Sequence, residues 1–241
     1  TAKIAKYLIG LGKFNLLAKD KSKNTLLHIA ASNGNYEFVK YLIELRQIDI
    51  SSKNDNRETI LHKACESGNL ELVKYLIELK QFDMKSKTKK YETLLHLATK
   101  SKNFELLKYL IEFNQIDVKD VNYEKENILH IACSDDNLDL VKYIVKLDQI
   151  DVTSRNISDE NPLYFACRNG IAIYLIELGK IDIKDLNSTQ DSILHIASSS
   201  GNERLEKYII TRNAIDILSI ISLYQTVLHL AVESKNFYLM N

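Results

Sequence analysis

One hexapeptide written seven times constrains this chain of 241 residues more than any other feature. Thr25-Leu-Leu-His-Ile-Ala returns as Thr59-Ile-Leu-His-Lys-Ala, Thr93-Leu-Leu-His-Leu-Ala, Asn127-Ile-Leu-His-Ile-Ala, Asn161-Pro-Leu-Tyr-Phe-Ala, Ser192-Ile-Leu-His-Ile-Ala and Thr226-Val-Leu-His-Leu-Ala, at steps of 34, 34, 34, 34, 31 and 34 residues. A Lys-Tyr-Leu-Ile motif runs in phase at Tyr7, Tyr41, Tyr75 and Tyr109, with relatives at Tyr143, Tyr174 and Tyr208. An acidic or amide residue between apolar ones keeps the same steps at Asn15, Asp49, Asp83, Asp117, Asp151, Asp182 and Asp216. Three motifs in register over a whole chain mark a repeat architecture.

Each repeat reads as two helices and a long connector. Thr, Asn or Ser before the first apolar run is N-cap chemistry, a side-chain oxygen placed to take an orphan backbone N–H. The first helix is short, as over 26–32. A turn with Gly34 or Gly68 follows, and Lys102, Asp136 and Lys235 stand in for that glycine elsewhere. The second helix, as over 70–79, buries Leu72, Val73, Leu76, Ile77 and Leu79 at helical spacing. On its outer face the Glu71/Lys74/Glu78 pattern predicts i,i+4 pairs. The Ile-Asp-Ile triplet that opens the connector predicts extended chain. One such helix pair cannot bury its own apolar face, whereas stacked pairs can, so the expected fold is an all-α repeat solenoid. It is read as one domain over 1–241: a partial unit over 1–24, units starting near 25, 59, 93, 127, 161 and 192, and a truncated unit over 226–241. The 31-residue step drops three residues after Gly170 and predicts a second helix short by almost a turn.

These motifs resemble the ankyrin repeat, whose signature is Thr-Pro-Leu-His-x-Ala-Ala followed by x-x-Gly. The tetratricopeptide repeat shares the 34-residue period, but the long connector, the absence of Trp and the Thr-x-x-His phase favour ankyrin. The resemblance implies stacked helix-turn-helix units with projecting hairpin fingers, and a concave groove lined by fingers and first helices that grips another protein. This sequence departs from the pattern in four ways. One extra residue lies between the second helix and the Asp in most repeats, and residues such as Ser51, Lys85, Lys119 and Thr153 replace the Asn that often follows that Asp by two. The signature proline survives only as Pro162, and the finger-tip glycine is replaced by Lys23, Arg57, Tyr91, Lys125, Asp159, Gln190 and Tyr224.

The reactive residues keep the phase of the repeat. All six histidines, His28, His62, His96, His130, His195 and His229, share one motif position, with Tyr164 in the remaining slot. A catalytic histidine is singular, so six equivalent copies point to a structural task. By resemblance each ring bonds its cap residue and a neighbouring loop carbonyl. Cys65, Cys133 and Cys167 occupy a small-residue slot held elsewhere by Ala31, Thr99, Ser198 and Val232. Free thiols predict a reduced compartment, cytoplasmic or nuclear. No P-loop, nucleophile elbow or HExxH is present, and no catalytic residue, cofactor or metal site is expected. Two sequons, at Asn156 and Asn187, fall on predicted fingers and carry no meaning in such a compartment.

Partner-binding candidates are the finger and first-helix positions that vary inside the fixed frame. They are Lys53, Asp55, Asn56, Glu58 and Glu66; Lys87, Lys89, Lys90, Glu92 and Lys100; Tyr123, Glu124, Glu126 and Asp135; and Arg155, Ile157 and Arg168. The stretch 217–224 is an apolar finger and a further contact candidate. Charge is balanced, 32 basic against 32 acidic residues, which argues against a nucleic-acid partner. No apolar run is long enough to enter a membrane. The balance hides a gradient: residues 1–120 carry 21 basic and 15 acidic side chains. The expected function is a non-enzymatic scaffold for another protein, or alternatively the adaptor or targeting region of a longer enzyme or secreted effector. An autonomous hydrolase has no constellation of residues to support it. The ends show no polar capping unit, so the chain is expected to continue into further repeats or to stack end to end.

Overall fold

Thirteen helices alternate short and long along a computed structural model that describes residues 2–12 and 15–212, with Thr226, His229, Leu230 and Val232. The apolar stretch 217–224, Asp216, Lys235 and most of the truncated last unit lie outside those residues. The first helices are α2 (Leu26–Ser32), α4 (Ile60–Ser67), α6 (Leu94–Lys100), α8 (Ile128–Ser134), α10 (Pro162–Ala166) and α12 (Ile193–Ser200). The second helices are α1 (Ala2–Gly10), α3 (Tyr36–Glu44), α5 (Leu70–Glu78), α7 (Phe104–Glu112), α9 (Leu138–Lys146), α11 (Ala172–Glu177) and α13 (Glu203–Thr211). Among the described residues there is no strand; Leu186 and Ser192 form an isolated antiparallel bridge.

Packing groups the chain into two compact units, Thr1–Tyr123 and Glu124–Asn241. In the first, α2 packs on α4 and α4 on α6, and each carries its own second helix. In the second, α8 packs on α10 and α10 on α12, again with second helices alongside. Helices of five to nine residues are too short to persist alone in water, so tertiary burial holds them. Leu61, Leu72, Val73, Leu76, Leu95 and Leu106 are buried in the first unit, and Leu129, Leu163, Leu175 and Leu194 in the second. Leu79, expected in this core, is the half-buried residue after α5.

The local sequence explains where each helix begins. Thr59, Thr93, Asn127 and Ser192 close capping boxes in which the side chain meets the backbone N–H three residues on and the His ring meets the cap backbone. Second helices start on Asn35, Asn69, Asn103, Asn137 and Asn202, each accepting from the N–H three residues ahead. α11 is six residues against nine elsewhere, as the 31-residue step predicts, and has no side-chain cap.

Two expectations are corrected. The Ile-Asp-Ile connector is a turn rather than extended chain: Asp49, Asp83, Asp117, Asp151 and Asp182 each accept the backbone N–H two residues on. That local bond competes with an extended backbone and wins. On the outer face, Lys74 lies over the Tyr109 ring of the next repeat, 5.1 Å from its centroid, rather than against Glu71 or Glu78. Lys6 over Tyr41 and Lys142 over Tyr174 repeat this arrangement. The expected i,i+4 pair does form in α7, between Lys108 and Glu112 at 4.0 Å. The turn glycines Gly34, Gly68 and Gly201 have positive φ. Lys102 takes that conformation at φ 62° without the freedom of glycine, while the Asp135–Asp136 turn avoids it through an extended Asp135.

Candidate partner-binding face

The finger tips depart from glycine yet keep its backbone. Lys23, Arg57, Tyr91, Lys125, Asp159 and Gln190 all sit at φ 60–66°. Asn54 N donates to Glu58 O and Arg57 N to Asn54 O, which is a three-residue hairpin loop with a left-handed third residue. The same pair of bonds recurs at 88–92, 156–160 and 187–191. A polar side chain at the base holds the strained tip. Asn54 Oδ1 accepts from Asn56 N and Glu58 N, and Thr88, Asn156 and Asn187 serve their own fingers in the same way. Both sequon asparagines are therefore buried members of these knots.

Neighbouring repeats are tied at three levels. Finger to finger, Asp55 N donates to Ser22 O, Lys89 N to Asn56 O and Tyr123 N to Lys90 O in the first unit. In the second, Ile157 N donates to Glu124 O and Ser188 N to Ser158 O. At the second-helix caps, Asn69 Nδ2 donates to Gly34 O and Asn103 Nδ2 to Gly68 O, both at 2.7 Å. Asn169 and Asn202 reach Cys133 O and Cys167 O in the same manner. A Cβ on Gly34 would lie 3.3 Å from Asn69 Cβ, so glycine also permits the close approach. This asparagine ladder was missed in the sequence. Its signal was the 34-residue phase of Asn35, Asn69, Asn103 and Asn137.

The histidines form the third level. Thr25 N and Thr25 Oγ1 both approach His28 Nδ1, at 3.3 and 2.8 Å. A ring nitrogen accepting from a backbone N–H carries no proton, so Nε2–H is the donor, and it meets Glu58 O at 3.0 Å. His62 joins Thr59 to Ser86 O, and His130 joins Asn127 to Glu160 O. His96, His195 and His229 keep the bond to Thr93, Ser192 and Thr226, although His229 is exposed. Burial favours the neutral ring, lowering the pKa of His28 and His62 and bringing that of His130 to about 4. Tyr164 replaces the ring with a hydroxyl that reaches Asp185 O and Asp191 O. Burial likewise raises the pKa of the Cys65, Cys133 and Cys167 thiols, which are free and inert. Among the described residues no three His, Cys, Asp or Glu side chains gather to hold a metal ion.

The expected contact residues divide into spent and open ones. Glu58 and Glu92, placed on the groove by sequence, are buried. Burial alone would raise the Glu58 pKa, but Asn54 and Lys63 outweigh it and the carboxyl is held below its ordinary value. Glu92 binds Thr88 and Lys100. Lys63 also holds Glu66, Lys23 holds Asp55, Lys87 holds Asp120, and Arg155 holds Asp185. Glu126 and Asp135 are half-buried and Glu124 is exposed. Lys53, Asn56, Lys89, Lys90, Tyr123, Ile157 and Arg168 are exposed. Two recesses open between fingers and first helices. One of about 270 Å³ is lined by Asn56, Lys63, Lys89, Lys90, Leu97 and Lys100 with three glutamates. The other, of about 170 Å³, is lined by Ser134, Glu160, Tyr164, Phe165, Arg168 and Ile196.

Short capped helix pairs, in-phase histidine and asparagine ties and projecting hairpin fingers define a helical repeat scaffold. The family description "Ankyrin repeats (3 copies)" matches residues 1–88 and 78–156, and the chain belongs to the ankyrin repeat family. Among solved structures it is similar to the human ASB11 ankyrin repeat domain, with a TM-score of 0.71 and 22% identity, covering 86% of this chain and 92% of that one. It is also similar to a chain in the complex of the predatory endopeptidase Bd0816 from Bdellovibrio bacteriovorus with the immunity protein Bd3460. There the TM-score is 0.65 and the identity 23%, over 81% of this chain and all of that one. No curated protein matches it by sequence. No helix of the described residues is long and apolar enough to cross a membrane.

Proposed function

We propose that this chain is a non-enzymatic module that binds another protein through its fingers and first helices. Ankyrin repeats are generally protein–protein interaction modules, and their domains are typically non-enzymatic scaffolds. The observation that carries the reading here is a division of labour. Histidines, cap asparagines and finger-base side chains spend their hydrogen bonds inside the frame, while Lys89 and Lys90 stay exposed at one recess, Arg168 at the other, and Tyr123 and Ile157 on the fingers. Rigid, tied fingers lose little freedom on binding, which favours affinity. Three free, buried thiols support a reducing compartment, the cytoplasm or nucleus.

Affinity capture with the intact chain, followed by crosslinking and mass spectrometry, tests this. Crosslinks from the captured partner are expected on the fingers and first helices. Crosslinks confined to the second helices would refute the reading.

A further inference from the structure

The chemistry of the partner can be read from which cations of the first unit remain uncompensated, and this step rests on the protein-binding reading above. Within Thr1–Tyr123 four cations of the finger and first-helix face are neutralised: Lys23 by Asp55, Lys63 by Glu58 and Glu66, Lys87 by Asp120, and Lys100 by Glu92. Lys53, Arg57, Lys89 and Lys90 are exposed and have no ion-pair partner among the described residues. These four lie on two consecutive fingers that are joined by the bond from Lys89 N to Asn56 O, 2.7 Å long.

The recess beneath Lys89 and Lys90 carries four lysines against three glutamates, so its surplus is positive. Its carboxylates are already held by Lys63 and Lys100 and do not compete for the two tip lysines. Beside it stand two exposed aromatic rings. Tyr91 is 55% and Tyr123 70% exposed, and Tyr123 N donates to Lys90 O at 2.8 Å. The tip backbone is preset, because Thr88 Oγ1 accepts from Lys90 N and Glu92 N. An exposed cation pair on a fixed backbone, flanked by tyrosine rings, suits carboxylates spaced along a peptide with apolar residues between them. A nucleic-acid backbone suits it less. Its phosphates come at every nucleotide and would meet Glu58, Glu66 and Glu92 as well as the lysines.

We propose that an acidic peptide segment of a partner protein lies across these two fingers, its carboxylates on Lys89 and Lys90 and an apolar side chain against Tyr91.

The test is fluorescence anisotropy on the intact chain with a labelled peptide of alternating Glu and Leu. A Lys/Leu peptide and a single-stranded DNA of equal length serve as comparisons. Binding of the acidic peptide is expected to weaken as salt is raised. The K89E/K90E variant should lower its affinity about tenfold or more, whereas K184E, at an exposed loop lysine of the other unit, should stay within about twofold. Thermal melts establish that both variants fold. An affinity unchanged by K89E/K90E, or tighter binding of the DNA, overturns the inference. Those results leave the broader reading standing if partner crosslinks still fall on fingers and first helices, and crosslinks on the second helices alone would remove that reading instead.

Discussion

The repeat that starts at Thr59 and the one that starts at Asn161 solve the same packing problem with different parts. The first has a nine-residue second helix capped by Asn69, and His62 joins its own cap to Ser86 O. The second has lost three residues, its helix α11 has no side-chain cap, and the Tyr164 hydroxyl reaches Asp185 O and Asp191 O rather than its own cap Asn161. Yet both keep the bond from the turn asparagine to the preceding repeat, Asn69 to Gly34 O and Asn169 to Cys133 O. The shared feature is the tie to the neighbour. Helix length and the identity of the ring can change because each ring still reaches a carbonyl of the loop that follows it and each turn asparagine still reaches the repeat before it.

The comparison can be broken by experiment, starting with the largest effect. Leu76→Ala in α5 should cost about 2–5 kcal/mol, read from urea denaturation. Leu175→Ala in α11 should cost a similar amount, since both side chains are fully buried. A much smaller loss at Leu175 would mean that the short repeat is held less firmly than its ties suggest.

Acid should separate the two repeats next. The His130 pKa is about 4 when folded, below its ordinary value of 6.5. The unfolded chain therefore binds the proton that the native ring refuses, and stability is full above about pH 6.5 and falls as pH drops toward 4. For His130 alone the loss approaches about 3 kcal/mol, with His28 and His62 shifted in the same direction. Tyr164 contributes nothing in that window. Hydrogen exchange at pH 7 and pH 5 should show protection falling more around α4 and α8 than around α10.

Removing single ties comes lower on the scale. His130→Ala should destabilise by about 1–3 kcal/mol and Tyr164→Phe by about 1–2 kcal/mol, because each strands a part-buried carbonyl. Equal melting temperatures for wild type and both variants would contradict the structural role of the rings. The smallest expected effect is a gain. Tyr91→Gly relieves a left-handed tip and should stabilise by about 1 kcal/mol or less, partly offset by a looser unfolded chain.

Much of this molecule was legible before any coordinates. The phase of Thr25, Thr59 and Thr93 marks helix starts, the missing residues near Gly170 mark the short helix, and the equivalence of six histidines points to one repeated structural task. Contact residues were less legible. Glu58 and Glu92 are polar, yet with Glu126 and Glu160 they recur at 34-residue steps as framework residues do, and a glutamate beside a finger-base Asn54 or Thr88 turns inward once Lys63 or Lys100 can neutralise it. Lys87 and Asp120 lie far apart in sequence and meet only because adjacent fingers are drawn together.

By itself the sequence determined the repeat, its helices and their caps, since these depend on local hydrogen bonds and on an apolar period that each repeat carries within itself. Which charges stay open for a partner was decided only by tertiary structure. Ion pairs between fingers depend on where a neighbouring backbone places each side chain, and no single repeat contains that information.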